Sequence, residues 1–121
     1  MVILPEPDIE TLDVLYIADD QALAEMYRLK LELDGYWVRV VDLDHAVAET
    51  LARRPDIIFL ELPARRPDRL GILEDLRQAA RRPELPAIIL SASRGQELRN
   101  QGATLSACDY IVRISSPDLP R

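Results

Sequence analysis

Residues 55–61 read Pro-Asp-Ile-Ile-Phe-Leu-Glu, an apolar run that stops on one carboxylate, Glu61. A strand buried on both faces of a parallel sheet is written as a continuous apolar run rather than an alternating one. The segment Val14-Leu15-Tyr16-Ile17-Ala18 has the same form and stops on Asp19-Asp20. Open α/β sheets bind their ligands just past the carboxyl ends of such strands. Two strands ending in acids therefore predict a small cluster of Asp19, Asp20 and Glu61 at one edge of the sheet.

The rest of the chain alternates in the same way. Strands are expected at 13–18, 37–42, 56–60, 86–91 and 108–113. Helices are expected at 21–34, 45–53 and 69–81, with a short fourth from about 93 to Gly102. Asp34-Gly35 gives the first helix a C-terminal stop. Asp44 is the expected N-cap of the second, which has Ala46, Val47, Thr50 and Leu51 on one face. Leu70, Leu73, Leu76 and Ala80 recur at helical spacing in the third. Ser93-x-x-Gln96 has the form of a capping box for the fourth. Strands that alternate with helices imply a doubly wound α/β domain with a parallel sheet and right-handed crossovers. The expected division is an irregular lead-in at 1–12, one domain at 13–114 and a tail or the start of a linker at 115–121, where Pro117 and Pro120 leave no room for a fifth helix.

Composition narrows the function. The chain has 121 residues and a net charge of −6, enough for one domain with one core. Residues 1–50 hold twelve acids and three bases, which argues against nucleic-acid binding through this domain. The Arg-rich stretch 53–82 reads as solvated helix ends and loops. No apolar run is long enough to cross a bilayer, and the start lacks the pattern of a signal peptide. A cytoplasmic location is the expectation. The lone Cys108 allows no internal disulfide or thiolate cluster. No Gly-rich loop follows the first strand, and His45 pairs with no nucleophile, so enzymatic activity is not expected.

Taken in order, these strand ends resemble the receiver domain of bacterial two-component response regulators over residues 13–114. Asp19-Asp20 resembles the acidic pair that holds a divalent cation, and Glu61 falls where the phospho-accepting Asp stands. Leu90-Ser91-Ala92 resembles the end of the fourth strand, with Ser91 as the switch hydroxyl. In Asp109-Tyr110-Ile111-Val112-Arg113, Tyr110 takes the place of the switch aromatic and Arg113 that of the usual Lys. The resemblance implies a flavodoxin-like five-stranded sheet of order 2-1-3-4-5. It also implies a protein partner, a histidine kinase or an output domain. The metal ligands it implies are Asp19, Asp20 and Glu61.

The departures shape the functional expectation. Glutamate is one methylene longer than Asp, and an error of about 1 Å can cost phosphoryl transfer roughly a hundredfold. Arg113 has a planar fork suited to a carboxylate, so an Arg113–Glu61 salt bridge is expected. Arg65 or Arg66 of the loop 62–68 is expected to fold over the acids. Ile114 stands where the family has Pro after a cis bond, and a trans bond is expected here. Mg²⁺ is therefore expected to bind weakly or not at all. The reading is a pseudo-receiver that works by protein interaction without phosphorylation. Two alternatives stand beside it: a conventional phosphoacceptor regulator, and a small flavodoxin-like ligand-binding or enzymatic domain. The first helix is apolar over about half its circumference, with one stripe at Ala22, Met26, Leu29 and Leu33 and another at Leu23, Tyr27 and Leu31. Residues 1–12 or a second subunit must cover the surplus. A homodimer with Leu23, Tyr27 and Leu31 at the contact is the expectation.

Overall fold

The computed structural model describes residues 11–114; the rest of the lead-in and the tail lie outside the described residues. Five parallel strands, β1 (Asp13–Ala18), β2 (Trp37–Asp42), β3 (Ile57–Leu62), β4 (Ala87–Ser91) and β5 (Asp109–Arg113), form one sheet of order β2-β1-β3-β4-β5. Between them run α1 (Gln21–Leu33), α2 (Ala46–Ala52), α3 (Ile72–Ala80) and α4 (Gly95–Asn100), four α-helices among the described residues. No helix of the described residues is long and apolar enough to cross a membrane.

The apolar runs are strands because both faces of the sheet are covered. All six residues of β1 are buried. On one face, Leu15, Ile17, Ile58, Leu60 and Ile89 pack against Ala46, Leu73, Leu76, Ala80 and Leu98 of α2, α3 and α4. On the other, Val14, Tyr16, Val38 and Leu90 pack against Ala24 and Leu31 of α1. Successive side chains of a strand alternate between these faces. The third-helix stripe Leu70, Leu73, Leu76 and Ala80 is buried as its spacing predicts.

Local chemistry moves several boundaries. Asp42, not Asp44, caps the segment before α2: its Oδ1 accepts from the His45 backbone N–H at 3.0 Å and opens a 3₁₀ turn at Leu43–His45. Leu51 turns outward and is exposed. Pro67 opens a second 3₁₀ turn, Pro67–Gly71, so α3 begins at Ile72 rather than 69. Before α4, Glu97 rather than Gln96 reaches back, accepting from the Arg94 N–H at 3.3 Å. The bond before Ile114 is trans, since no cis peptide occurs among the described residues.

The first helix also sorts its two stripes. Leu31 is buried, and Tyr27 leans on Tyr16 and Phe59 with ring centroids 6.1 and 6.5 Å away. Met26, Leu29 and Leu33 point away from the sheet and are 54%, 50% and 87% exposed. Of the expected contact at Leu23, Tyr27 and Leu31, Leu31 is spent on the core and Tyr27 packs against it, partly buried.

Not all of the Arg-rich stretch is solvated. Arg77 is buried, donating to the Leu85 carbonyl at 2.9 Å and to Asp109 Oδ1 at 2.6 Å. Arg53 lies over the Trp37 ring at 3.8 Å and pairs with Asp13 at 2.7 Å.

Candidate functional site

Glu61 is not past the end of its strand. The β3–β4 ladder continues through Glu61↔Leu90 and Leu62↔Ser91, so Glu61 sits inside β3 and is only 5% exposed. It lies on the α1 face, two residues after Phe59, which registers with Tyr16 of β1. The Tyr16 hydroxyl donates to Glu61 Oε2. The backbone N–H groups of Asp19 and Asp20 both donate to Glu61 Oε1 at 2.7 Å. These amides stand at the start of α1, where N–H groups lack helical partners and the dipole favours negative charge. The carboxylate is held from within, on three donors.

Tyr16 is fully buried and was not anticipated as a site residue. Its ring lies 6.1 Å from Phe59. Burial first, and then the hydrogen bond and charge of Glu61, hold its phenol far above the ordinary tyrosine range. The available signal was a tyrosine inside an otherwise aliphatic buried strand, whose hydroxyl requires a partner.

The two aspartates are also engaged. Asp20 is the N-cap of α1, its Oδ1 accepting from Ala22 N–H at 2.9 Å and Leu23 N–H at 3.2 Å. Asp19 Oδ1 accepts from Arg69 Nη1 at 2.9 Å. The pair is partly solvated, and such pairs contribute about 0–1 kcal/mol to stability. The cation over the acids is thus Arg69, not Arg65 or Arg66. Arg66 instead pairs with Asp68 at 2.9 Å within the loop, because the 3₁₀ turn carries Arg69 rather than its predecessors toward Asp19.

A divalent ion needs several free oxygens in a near-octahedral arrangement. Glu61 faces protein donors, Asp20 faces the helix, and Asp19 faces a guanidinium. Among the described residues no three acidic, His or Cys side chains gather as a metal group. The acid set does not fit a resident Mg²⁺.

Nor do the switch-equivalent residues converge on Glu61. Ser91 is buried, and its Oγ accepts from the Ser93 N–H at 2.9 Å, closing a turn. Tyr110 is 54% exposed on β5. Arg113 is exposed and makes no ion pair among the described residues, so the expected Arg113–Glu61 bridge is absent. The reason is register: Arg113 lines up with Ser91 and Leu62, whereas Glu61 lines up with Leu90 and Val112, so Arg113 and Glu61 stand on opposite faces of the sheet. What the strand ends do enclose is a cleft of about 240 Å³, lined by Asp19, Asp20, Leu23, Glu61, Leu90 and Ile114 among others.

No family model matches the chain. The response regulator MprA of Mycobacterium leprae is 31% identical over 101 residues, 83% of this chain and 43% of MprA. The chain spans less than half the length of the curated relatives it matches. The chemotaxis protein CheY4 of Vibrio cholerae superposes with a TM-score of 0.71 at 21% identity, over 89% of this chain and 91% of that one. The receiver domain of sensor histidine kinase PA1611 from Pseudomonas aeruginosa, which has a magnesium ion coordinated in its active-site cleft, gives 0.58 at 22% identity over 88% and 86%. The chain has the CheY-like flavodoxin fold of receiver domains, and its relatives in sequence are response regulators.

Proposed function

We propose that this chain is a receiver-type domain of a two-component response regulator that signals through protein contacts without being phosphorylated. One observation carries the reading: the side chain in the acceptor position, Glu61, is buried and tied to Tyr16 and two backbone amides. An acceptor must present a free oxygen in line with the donor phosphorus. Here both oxygens are already bonded to the protein. No cofactor is needed for this role. Incubation with acetyl phosphate and Mg²⁺, followed by intact-mass measurement, is expected to show no stoichiometric phosphoryl gain. A gain of one phosphoryl group that disappears in Glu61→Gln would support the conventional phosphoacceptor reading instead.

The partner in this proposal is protein rather than nucleic acid, a kinase or an output domain, and the chain also pairs with itself. The surface is the outward stripe of α1, Met26, Leu29 and Leu33. Their spacing of three and four residues is that of a helix–helix seam. Sedimentation at tens of micromolar is expected to show a dimer, and Leu29→Glu a monomer of unchanged fold. An exposed substitution costs only about 0.5 kcal/mol or less. A monomeric unsubstituted chain would remove self-association from the proposal.

A further inference from the structure

We propose that the Arg69 guanidinium is the resident cation of the acidic strand ends and that it keeps divalent ions out of the site. The proposal rests on the reading of the domain as unphosphorylated and extends it to the electrostatics of the same site. Carboxylates near one another at the strand ends repel unless each finds a donor or a counter-charge. Glu61 and Asp20 find theirs in the Tyr16 hydroxyl and in backbone N–H groups. Asp19 alone is served by a formal cation, Arg69, through Nη1 at 2.9 Å.

The fold aims that cation. Arg69 stands in the 3₁₀ turn Pro67–Gly71, which is anchored next door by buried Leu70. Its side chain is three-quarters buried, at 24% exposure, and its Nε is sealed with no partner among the described residues. Asp19 is the side-chain partner of this guanidinium among the described residues. A divalent ion arriving at Asp19 would have to displace it, leaving a positive charge beside the ion. Guanidinium cannot escape this conflict by losing its proton.

The test is a titration of the whole chain with MgCl₂ and, separately, MnCl₂. Binding is read from the amide NMR signals of Asp19 and Asp20 and from Mn²⁺ line broadening. The unsubstituted chain is expected to show no saturable binding in the millimolar range. Arg69→Gln, which keeps the bulk and removes the charge, is expected to bind at least about tenfold tighter. Arg69→Lys is expected to behave like the unsubstituted chain, and adding Asp19→Asn to Arg69→Gln to abolish the gain. Submillimolar Mg²⁺ binding by the unsubstituted chain overturns the proposal. So does a folded Arg69→Gln variant that gains nothing, or an Arg69→Lys variant that gains as much as Gln. These readouts follow ion binding alone, so phosphoryl uptake from acetyl phosphate would defeat the functional reading without deciding this one.

Discussion

Tyr16→Phe is expected to lower the unfolding free energy by about 2 kcal/mol at neutral pH. The substitution keeps the ring against Tyr27 and Phe59 and removes one oxygen. That oxygen carries the donor for Glu61 Oε2, and hydrogen bonds to charged groups contribute about 1.5–3 kcal/mol when the partner is left buried. The effect has a pH signature. Tyr16 titrates far above its ordinary value when folded, through burial and then Glu61, and near pH ~10 when unfolded. Above that pH the unfolded chain has lost a proton that the folded chain keeps. Stability then falls as pH rises, by about 1.4 kcal/mol per unit for this group. Below pH ~10 the contribution is complete. Urea midpoints at about pH 8 and pH 11 should show the advantage over Tyr16→Phe shrinking at the higher value. Equal differences at both values would contradict the buried Tyr16–Glu61 contact.

Arg77→Ala is expected to cost more, about 3–5 kcal/mol, the usual penalty for breaking a buried pair by removing one partner. Arg77 is 9% and Asp109 4% exposed. The guanidinium joins α3 to the start of β5, while Asp109 Oδ2 accepts from the Ser106 N–H at 2.8 Å. Without Arg77, Asp109 keeps a buried charge with one backbone donor. Arg77→Met combined with Asp109→Leu removes both charges, so it should cost clearly less than the sum of the single substitutions. Urea unfolding of Arg77→Met, Asp109→Leu and their combination closes the cycle. Additive costs would mean that the pair is not coupled. A domain of this size has about 5–15 kcal/mol in total, so the single variant should be marginal, and β5 with Tyr110 and Arg113 should loosen first.

The strands were legible because a buried parallel strand leaves a local signature. Ile57–Leu60 and Val14–Ala18 are apolar without alternation, and runs that short suit a strand covered on both faces. The order of the sheet followed from the resemblance of the strand ends, not from any one of them. Legibility failed at Glu61. A carboxylate after four apolar residues looks the same whether the ladder has ended or runs on, and here it runs on to Leu62. The first helix failed for a related reason. Its two stripes are about equally apolar, and periodicity cannot tell which one meets Val38 and Phe59 and which meets water.

Local pattern was enough to read the layers, the helix count of the described residues and the placing of Asp19, Asp20 and Glu61 toward one end of the sheet. Those follow from apolar runs and helical spacing, which act between near neighbours. Tertiary structure alone decided what the acids do. Glu61 meets Tyr16 across 45 residues and Asp19 meets Arg69 across 50. Such partners are chosen by strand register and by the turn that Pro67 opens, and neither is written locally. A charge finds its counterpart only where the packed backbone brings the two within about 3 Å.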